Sequence, residues 1–183
     1  MEFLESYSLK EHNTWKVGGV ADWAVFPQTP EEVREACLWA RKNDHPISVI
    51  SGGSNILVSE QGIRGLTMIM SDLTGITAEH GTETTLTLEC LAGTPKSEVL
   101  RAFVKAKFSP ALFLAGLPGD MGGGVVMNAG VGHDIQPKEF CELVNWIEYV
   151  DLNSEDLSIK RMSGSEIKWS YRRSDGWQPG VLT

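Results

Sequence analysis

The stretch Pro46-Ile-Ser-Val-Ile-Ser-Gly-Gly-Ser-Asn-Ile-Leu-Val-Ser59 constrains this chain more than any other. Ile47, Val49 and Ile50 form an apolar, β-branched run bounded by Pro46 and by glycines, the pattern of a short buried strand. The chain then breaks into Gly52, Gly53, Ser54 and Asn55. Glycine has no Cβ, so it reaches positive φ and lets another group lie against the main chain. Successive N–H groups in such a loop make a concave anion site, and Ser54 and Asn55 add side-chain donors. From these residues alone two readings stay open: a loop that holds phosphate, or a plain glycine turn between two strands.

The 183 residues suffice for one domain of ordinary size or two small ones. Hydrophobic residues make up 42% and charged residues 22%, the balance of a globular chain rather than a disordered one. No apolar run approaches the ~20 residues of a membrane helix. The short apolar runs make no membrane association expected, and Met1–Glu5 is acidic and lacks a basic region, so no signal peptide is expected either. A net charge of −8 argues against non-specific nucleic-acid binding. An anion can still be held where backbone dipoles and a local arginine converge. Cys37, Cys90 and Cys141 are scattered, odd in number and without metal-ligand spacing, so no metal is expected. Cys37 and Cys90 fall on apolar faces and read as buried thiols, which fits a reducing, cytoplasmic setting.

Taken in order, Glu11–Gly19 is a polar segment ending in a glycine pair, and Ala21–Phe26 reads as a strand stopped by Pro27. Thr29, Pro30 and Glu32 spell a capping box, and Val33, Ala36, Cys37 and Ala40 follow at helical spacing until Asn43-Asp44. Strand, helix, strand and glycine loop make a small β-α-β unit. Ile56–Val58 and Leu66–Met70 read as further strands, Asp72–Ala78 is ambiguous, and Glu79–Glu83 reads as a turn. Thr85–Leu91 alternates as a strand, with Leu86, Leu88 and Cys90 on one face. Thr94-Pro95 opens a second helix that stops before Ser109-Pro110. Leu143–Asp151 and Ile159–Met162 are expected strands, with a turn at Ser154–Asp156. A boundary near residues 66–76 divides the chain into two α+β subdomains, 1–70 and 71–183.

A second glycine loop runs from Leu114 to Gly130, with five glycines from Gly116 to Gly124. No periodicity explains them, and their entropic cost suits a main chain lying against something flat or charged. Asn128 sits among small and apolar residues and needs partners if buried. No Walker-type lysine follows either loop, and neither spells the dinucleotide fingerprint of a Rossmann fold. His12, His45, His80 and His133 lie far apart and read as surface or turn residues. Arg172-Arg173 is the adjacent arginine pair, and one member could meet a carboxylate bidentately. Two solvated strand charges remain the other reading.

Four segments together carry a resemblance: Asn13–Gly19, Ser51–Val58, Ala115–Gly124 with Met127–Gly130, and Tyr171–Ser174. In this order the chain resembles the UDP-N-acetylenolpyruvoylglucosamine reductases. The resemblance implies an α+β fold of the FAD-binding PCMH type, like that of vanillyl-alcohol oxidase, with FAD between two subdomains. It implies that Gly52, Gly53, Ser54 and Asn55 wrap the pyrophosphate. Gly116, Pro118, Gly119, Asp120, Gly122, Gly123 and Asn128 would line the cofactor from the second loop. It implies NADPH as co-substrate and a sugar nucleotide, UDP-N-acetylglucosamine enolpyruvate, reduced to UDP-N-acetylmuramate for peptidoglycan synthesis. Arg172 would be catalytic, facing the developing enolate, and Tyr171 would shape the substrate site.

Three departures accompany it. The family's C-terminal substrate domain, with its serine and glutamate, has no counterpart before Thr183. Asp120 stands where a small hydroxyl residue is usual, and Val131–Asp134 departs from the usual aromatic-glycine-acid pattern. A non-catalytic flavin-binding module and a flavin oxidase of the same superfamily are the alternatives.

Overall fold

The structure, a computed structural model, describes residues 1–108, 112–131 and 137–183. Strands β1 (Leu4–Ser8), β2 (Val20–Val25), β3 (Ile47–Ile50) and β4 (Ile63–Ile69) form one sheet in the order β1-β2-β4-β3. β1 is antiparallel to β2, whereas β2, β4 and β3 run parallel. Helix α1 (Pro30–Lys42) crosses from β2 to β3, so the expected β-α-β unit is present with β4 inserted between its strands. Half of its capping box forms: Thr29 Oγ1 accepts the Glu32 N–H at 3.2 Å, while the Glu32 carboxylate accepts the N–H of Gln28, one residue before the cap, at 2.7 Å.

The remaining chain supplies the hairpin β5 (Ile76–Gly81) and β6 (Leu86–Cys90), then helices α2 (Lys96–Lys105) and α3 (Met121–Val126). β7 (Trp146–Asp151) and β8 (Ile159–Ser163) pair antiparallel, β9 (Lys168–Ser170) and β10 (Arg173–Asp175) make a ribbon, and β11 (Gly180–Leu182) returns to β7. Helix α1 touches both β4 and β7. Its inner residues Val33, Ala36, Cys37 and Ala40 are fully buried in one apolar cluster with Leu66, Phe140 and Val150, which joins the sheets, while Leu9, Ala21, Ala24, Ile50, Val58 and Ile69 form a second cluster. No helix among the described residues is long and apolar enough to cross a membrane.

Several local expectations are corrected. Val49 is 46% exposed, so β3 is buried on one face only. Ile56–Val58 is a loop, because the backbone there turns to meet Gly19 and Gly62, whose N–H groups both bond Ser59 O. The region read as ambiguous and then as a turn is strand β5, and the reversal comes at Thr82–Thr85, closed by Thr82 Oγ1 on the N–H groups of Thr84 and Thr85. All five residues of β6 are half-buried, so its alternation does not separate a wet face from a dry one. Thr94 does not cap α2: its hydroxyl bonds the Gly75 N–H and carbonyl at 3.0 and 3.1 Å. Ser109-Pro110, the expected stop after α2, and 132–134, with His133, lie outside the described residues.

Candidate functional site

β3 delivers the chain to the carboxyl ends of the parallel strands, where sheets of this kind leave room for ligands. Beyond Ile50 the loop turns through Gly53 at φ +62°, where a Cβ would strike the His12 carbonyl. The segment from Asn13 to Gly19 braces this turn from behind. The Thr14 N–H and hydroxyl both donate to Gly53 O, at 3.1 and 3.4 Å. Asn13, 3% exposed, folds the segment by donating to Leu9 O and Val17 O, each at 2.9 Å. The Gly53 carbonyl is thus used inside the protein. Among the described residues, the N–H groups of Gly53, Ser54 and Asn55 find no acceptor.

The second glycine loop reaches the same place through a post at Ala92–Lys96. Gly93 N–H bonds Leu73 O at 2.9 Å, just after β4. From the other side, Gly122 N–H bonds Ala92 O at 2.7 Å, Met121 N–H bonds Thr94 O at 2.9 Å, and Lys96 N–H bonds Gly119 O at 3.3 Å. These bonds satisfy the first donors of α3 and set Gly119 and Asp120 against the first loop. A Cβ on Gly52 would lie 2.7 Å from the Gly119 Cα, so only glycine permits this approach. The Ser51 hydroxyl donates to Asp120 Oδ2 at 2.8 Å and fastens the two loops together. N–H groups of Gly119, Asp120 and Gly123 also find no acceptor among the described residues.

The loops enclose one side of a 490 Å³ cavity. Of the residues singled out from sequence, Gly52, Gly53, Ser54, Asn55, Pro118, Gly119, Asp120, Gly122, Gly123 and Arg172 line it. Gly116, Asn128 and Tyr171 do not. Gly116 is exposed, and among the described residues a Cβ there would touch Val131. Asn128 is buried at φ +37°, and its amide is spent on Glu139 Oε2, Ser170 O and the Cys141 N–H at 3.1, 3.2 and 3.0 Å. It ties the end of α3 to β9. Tyr171 is 82% exposed, with the Arg172 guanidinium 5.1 Å from its ring centre.

The arginine pair divides its work. Arg173 is in an ion pair with Asp175 at 2.5 Å, facing solvent. Arg172, at φ +56°, donates to Gly130 O at 2.9 Å and presents its charge to the cavity. One charged lining residue escaped the sequence reading. Lys96 is 4% exposed, and its ammonium donates to Pro118 O at 2.7 Å. Burial pulls the Lys96 pKa below the usual lysine range, while the nearby Asp120 carboxylate pulls it back up. Apolar walls come from Val49, Leu117, Trp177 and Val181. The arrangement can hold a multiply charged anion on main-chain N–H groups and keep a flat ring against apolar side chains. Among the described residues no three His, Cys, Asp or Glu side chains gather to hold a metal.

A family profile described as an FAD binding domain matches residues 21–158. UDP-N-acetylenolpyruvoylglucosamine reductases from Prochlorococcus marinus and Pediococcus pentosaceus are 31% and 32% identical to 93% and 95% of the chain. The homologue from Parasynechococcus marenigrum is 37% identical over 91% of it. The chain spans about half the length of these curated relatives: 55%, 54% and 52%. Among solved structures, UDP-N-acetylenolpyruvylglucosamine reductase (MurB) from Thermus caldophilus matches 99% of this chain and 59% of its own, at a TM-score of 0.72 and 24% identity. Cholesterol oxidase from Brevibacterium sterolicum matches 88% of this chain and 32% of its own, at a TM-score of 0.66 and 18% identity. These two likenesses give the fold, α+β of the FAD-binding PCMH type.

Proposed function

This chain belongs to the FAD-binding domain family, and from that premise we propose that it forms the FAD-binding part of a UDP-N-acetylenolpyruvoylglucosamine reductase. The observation that carries the proposal is the seam where Gly52 meets Gly119, with N–H groups of both loops that find no acceptor among the described residues beside one cavity. That cradle fits a dinucleotide diphosphate, since a Cβ at Gly52 would close it and no lysine-rich loop is needed when amides supply the donors. Gly52, Gly53, Ser54 and Asn55 would hold the diphosphate from one side, and Pro118, Gly119, Asp120, Gly122 and Gly123 from the other. Bound FAD supplies the hydride chemistry, with NADPH as the proposed reductant. The first sheet lies wholly within residues 4–69 and the other sheets within 76–182, which supports 1–70 and 71–183 as the two subdomains.

In this reading Arg172 is the catalytic cation. Its bond to Gly130 O fixes the guanidinium before any substrate arrives, so negative charge growing on an enolpyruvyl carboxylate would meet an oriented donor. Tyr171 lies under that guanidinium and would shape the sugar-nucleotide site. Gly116 and Asn128 would act at one remove, Asn128 by holding the end of α3. A cytoplasmic setting belongs to the same proposal. Because the chain spans about half of its relatives, turnover is proposed to require the half it does not align with.

The test is NADPH oxidation dependent on UDP-N-acetylglucosamine enolpyruvate, measured with the chain fused to the C-terminal half of a relative. Arg172→Ala should lower turnover ~100-fold or more and leave FAD content unchanged. Equal loss of both would remove the role given to Arg172. The second reading is a flavin-binding module without turnover. FAD uptake with no substrate-dependent oxidation in the fusion would select it.

A further inference from the structure

We propose that Lys96 is itself a ligand-binding residue, supplying the positive charge that lets a cavity containing the Asp120 carboxylate hold the flavin nucleotide's diphosphate. The inference rests on the reading of this cavity as the FAD site. Three observations carry it. Lys96 is 96% buried by its 4% exposure, yet it lines the cavity. Its ammonium has three donor hydrogens, and among the described residues one acceptor, Pro118 O at 2.7 Å, is present. The remaining donors stand beside Gly119, where an added Cβ would lie 3.6 Å from Nζ.

The electrostatics point the same way. Among the described residues, Asp120 is the carboxylate lining the cavity, and Lys96 and Arg172 are the cations. Asp120 is fastened to the Ser51 hydroxyl and makes no direct ion pair with Lys96, while Arg172 is bonded to Gly130 O. An entering diphosphate would meet an uncompensated carboxylate were it not for the Lys96 charge. The Asp120 carboxylate nearby meets the buried Lys96 charge only through space, without an ion pair, and a diphosphate seated between the loops gives it an anion in direct contact. Lys96 is also held by its own N–H on Gly119 O, so its backbone moves with the second loop. Nothing in the sequence marks it, because a lysine in the first turn of a helix ordinarily reads as solvated.

The competing explanation is that Lys96 is a strut between α2 and the second loop. Lys96→Gln separates the two, since an amide can still donate to Pro118 O but carries no charge. FAD and riboflavin, which lacks phosphate, are each titrated against the flavin-free proteins, and melting temperatures of those proteins are measured. The expected result is at least ~10-fold weaker FAD binding, unchanged riboflavin binding and an unchanged melting temperature. FAD affinity unchanged, or lost in parallel with riboflavin affinity, overturns the assignment. If Lys96→Gln does not fold, the comparison moves to Asp120→Asn against Asp120→Asn/Lys96→Gln, where no half-buried carboxylate loses its counter-charge, with the same outcomes deciding. A wild-type chain that takes up no FAD overturns the reading of the cavity as a whole. Normal wild-type uptake with an indifferent Lys96→Gln overturns this assignment alone.

Discussion

Gly122, Gly123 and Gly124 stand in a row and have three different reasons to lack a side chain. A Cβ on Gly122 would press on Ala92 at 2.9 Å, and one on Gly124 would enter the Phe140 ring. Gly123 is open, with Ser51 Cβ the nearest atom at 4.0 Å, and it lines the cavity. Gly124→Ala should therefore destabilise the flavin-free protein by about 1–3 kcal/mol through overpacking. Gly123→Ala should leave its stability unchanged or raise it by up to ~1 kcal/mol, because alanine favours helix, and should weaken FAD binding. Thermal melting and FAD titration of both variants check this; a destabilised Gly123→Ala with normal FAD binding would contradict it. The glycines were legible in the sequence as a group that something must approach. Which one faces a ligand was not, because Phe140 and Ala92 are distant along the chain. Lys96 was illegible for a related reason, since its burial depends on a loop more than twenty residues later.

α1 could be read from sequence because every local signal agrees there: a cap, a proline at the first position and four inward residues at helical spacing. α3 could not, because three glycines oppose helix and its first donors are satisfied by Ala92 and Thr94, outside the segment. β5 was missed because it is largely exposed and shows no period. The inner face of α1 also predicts a pH response. Burial pushes the Cys37 thiol up to about 12, from an ordinary value of 9.0. The unfolded chain then gives up this proton before the folded one does. The contribution of Cys37 is complete below pH 9 and is lost as pH rises toward about 12. Cys90, pushed up to about 11, acts in the same sense. Melting temperatures of the wild type should fall steeply between pH 9 and 11, and Cys37→Ala should show a shallower slope over that range. Identical slopes would show that the thiol does not titrate in this way.

Taken whole, the molecule is a device for bringing residues 51–55 and 117–123 to one seam. α1 between β4 and β7 fixes the first sheet against the rest, and the post at Ala92–Lys96 carries the second loop across to the exit of β4. The resemblance read from four short segments anticipated that both loops would share a crevice, and the contact of Gly52 with Gly119 is where they do. The segment Asn13–Gly19, which looked like a polar lead-in, is the brace behind the first loop. What was missing from the sequence was charge placement, because it is set by tertiary contacts of Lys96, Asp120 and Arg172. The most direct measurement is an FAD titration of the flavin-free chain, followed by flavin fluorescence and by thermal melting of the same samples. Saturable uptake of one FAD per chain, with melting temperature rising as FAD is added, is the predicted result. A folded protein that shows no saturable uptake and no shift in melting would contradict it.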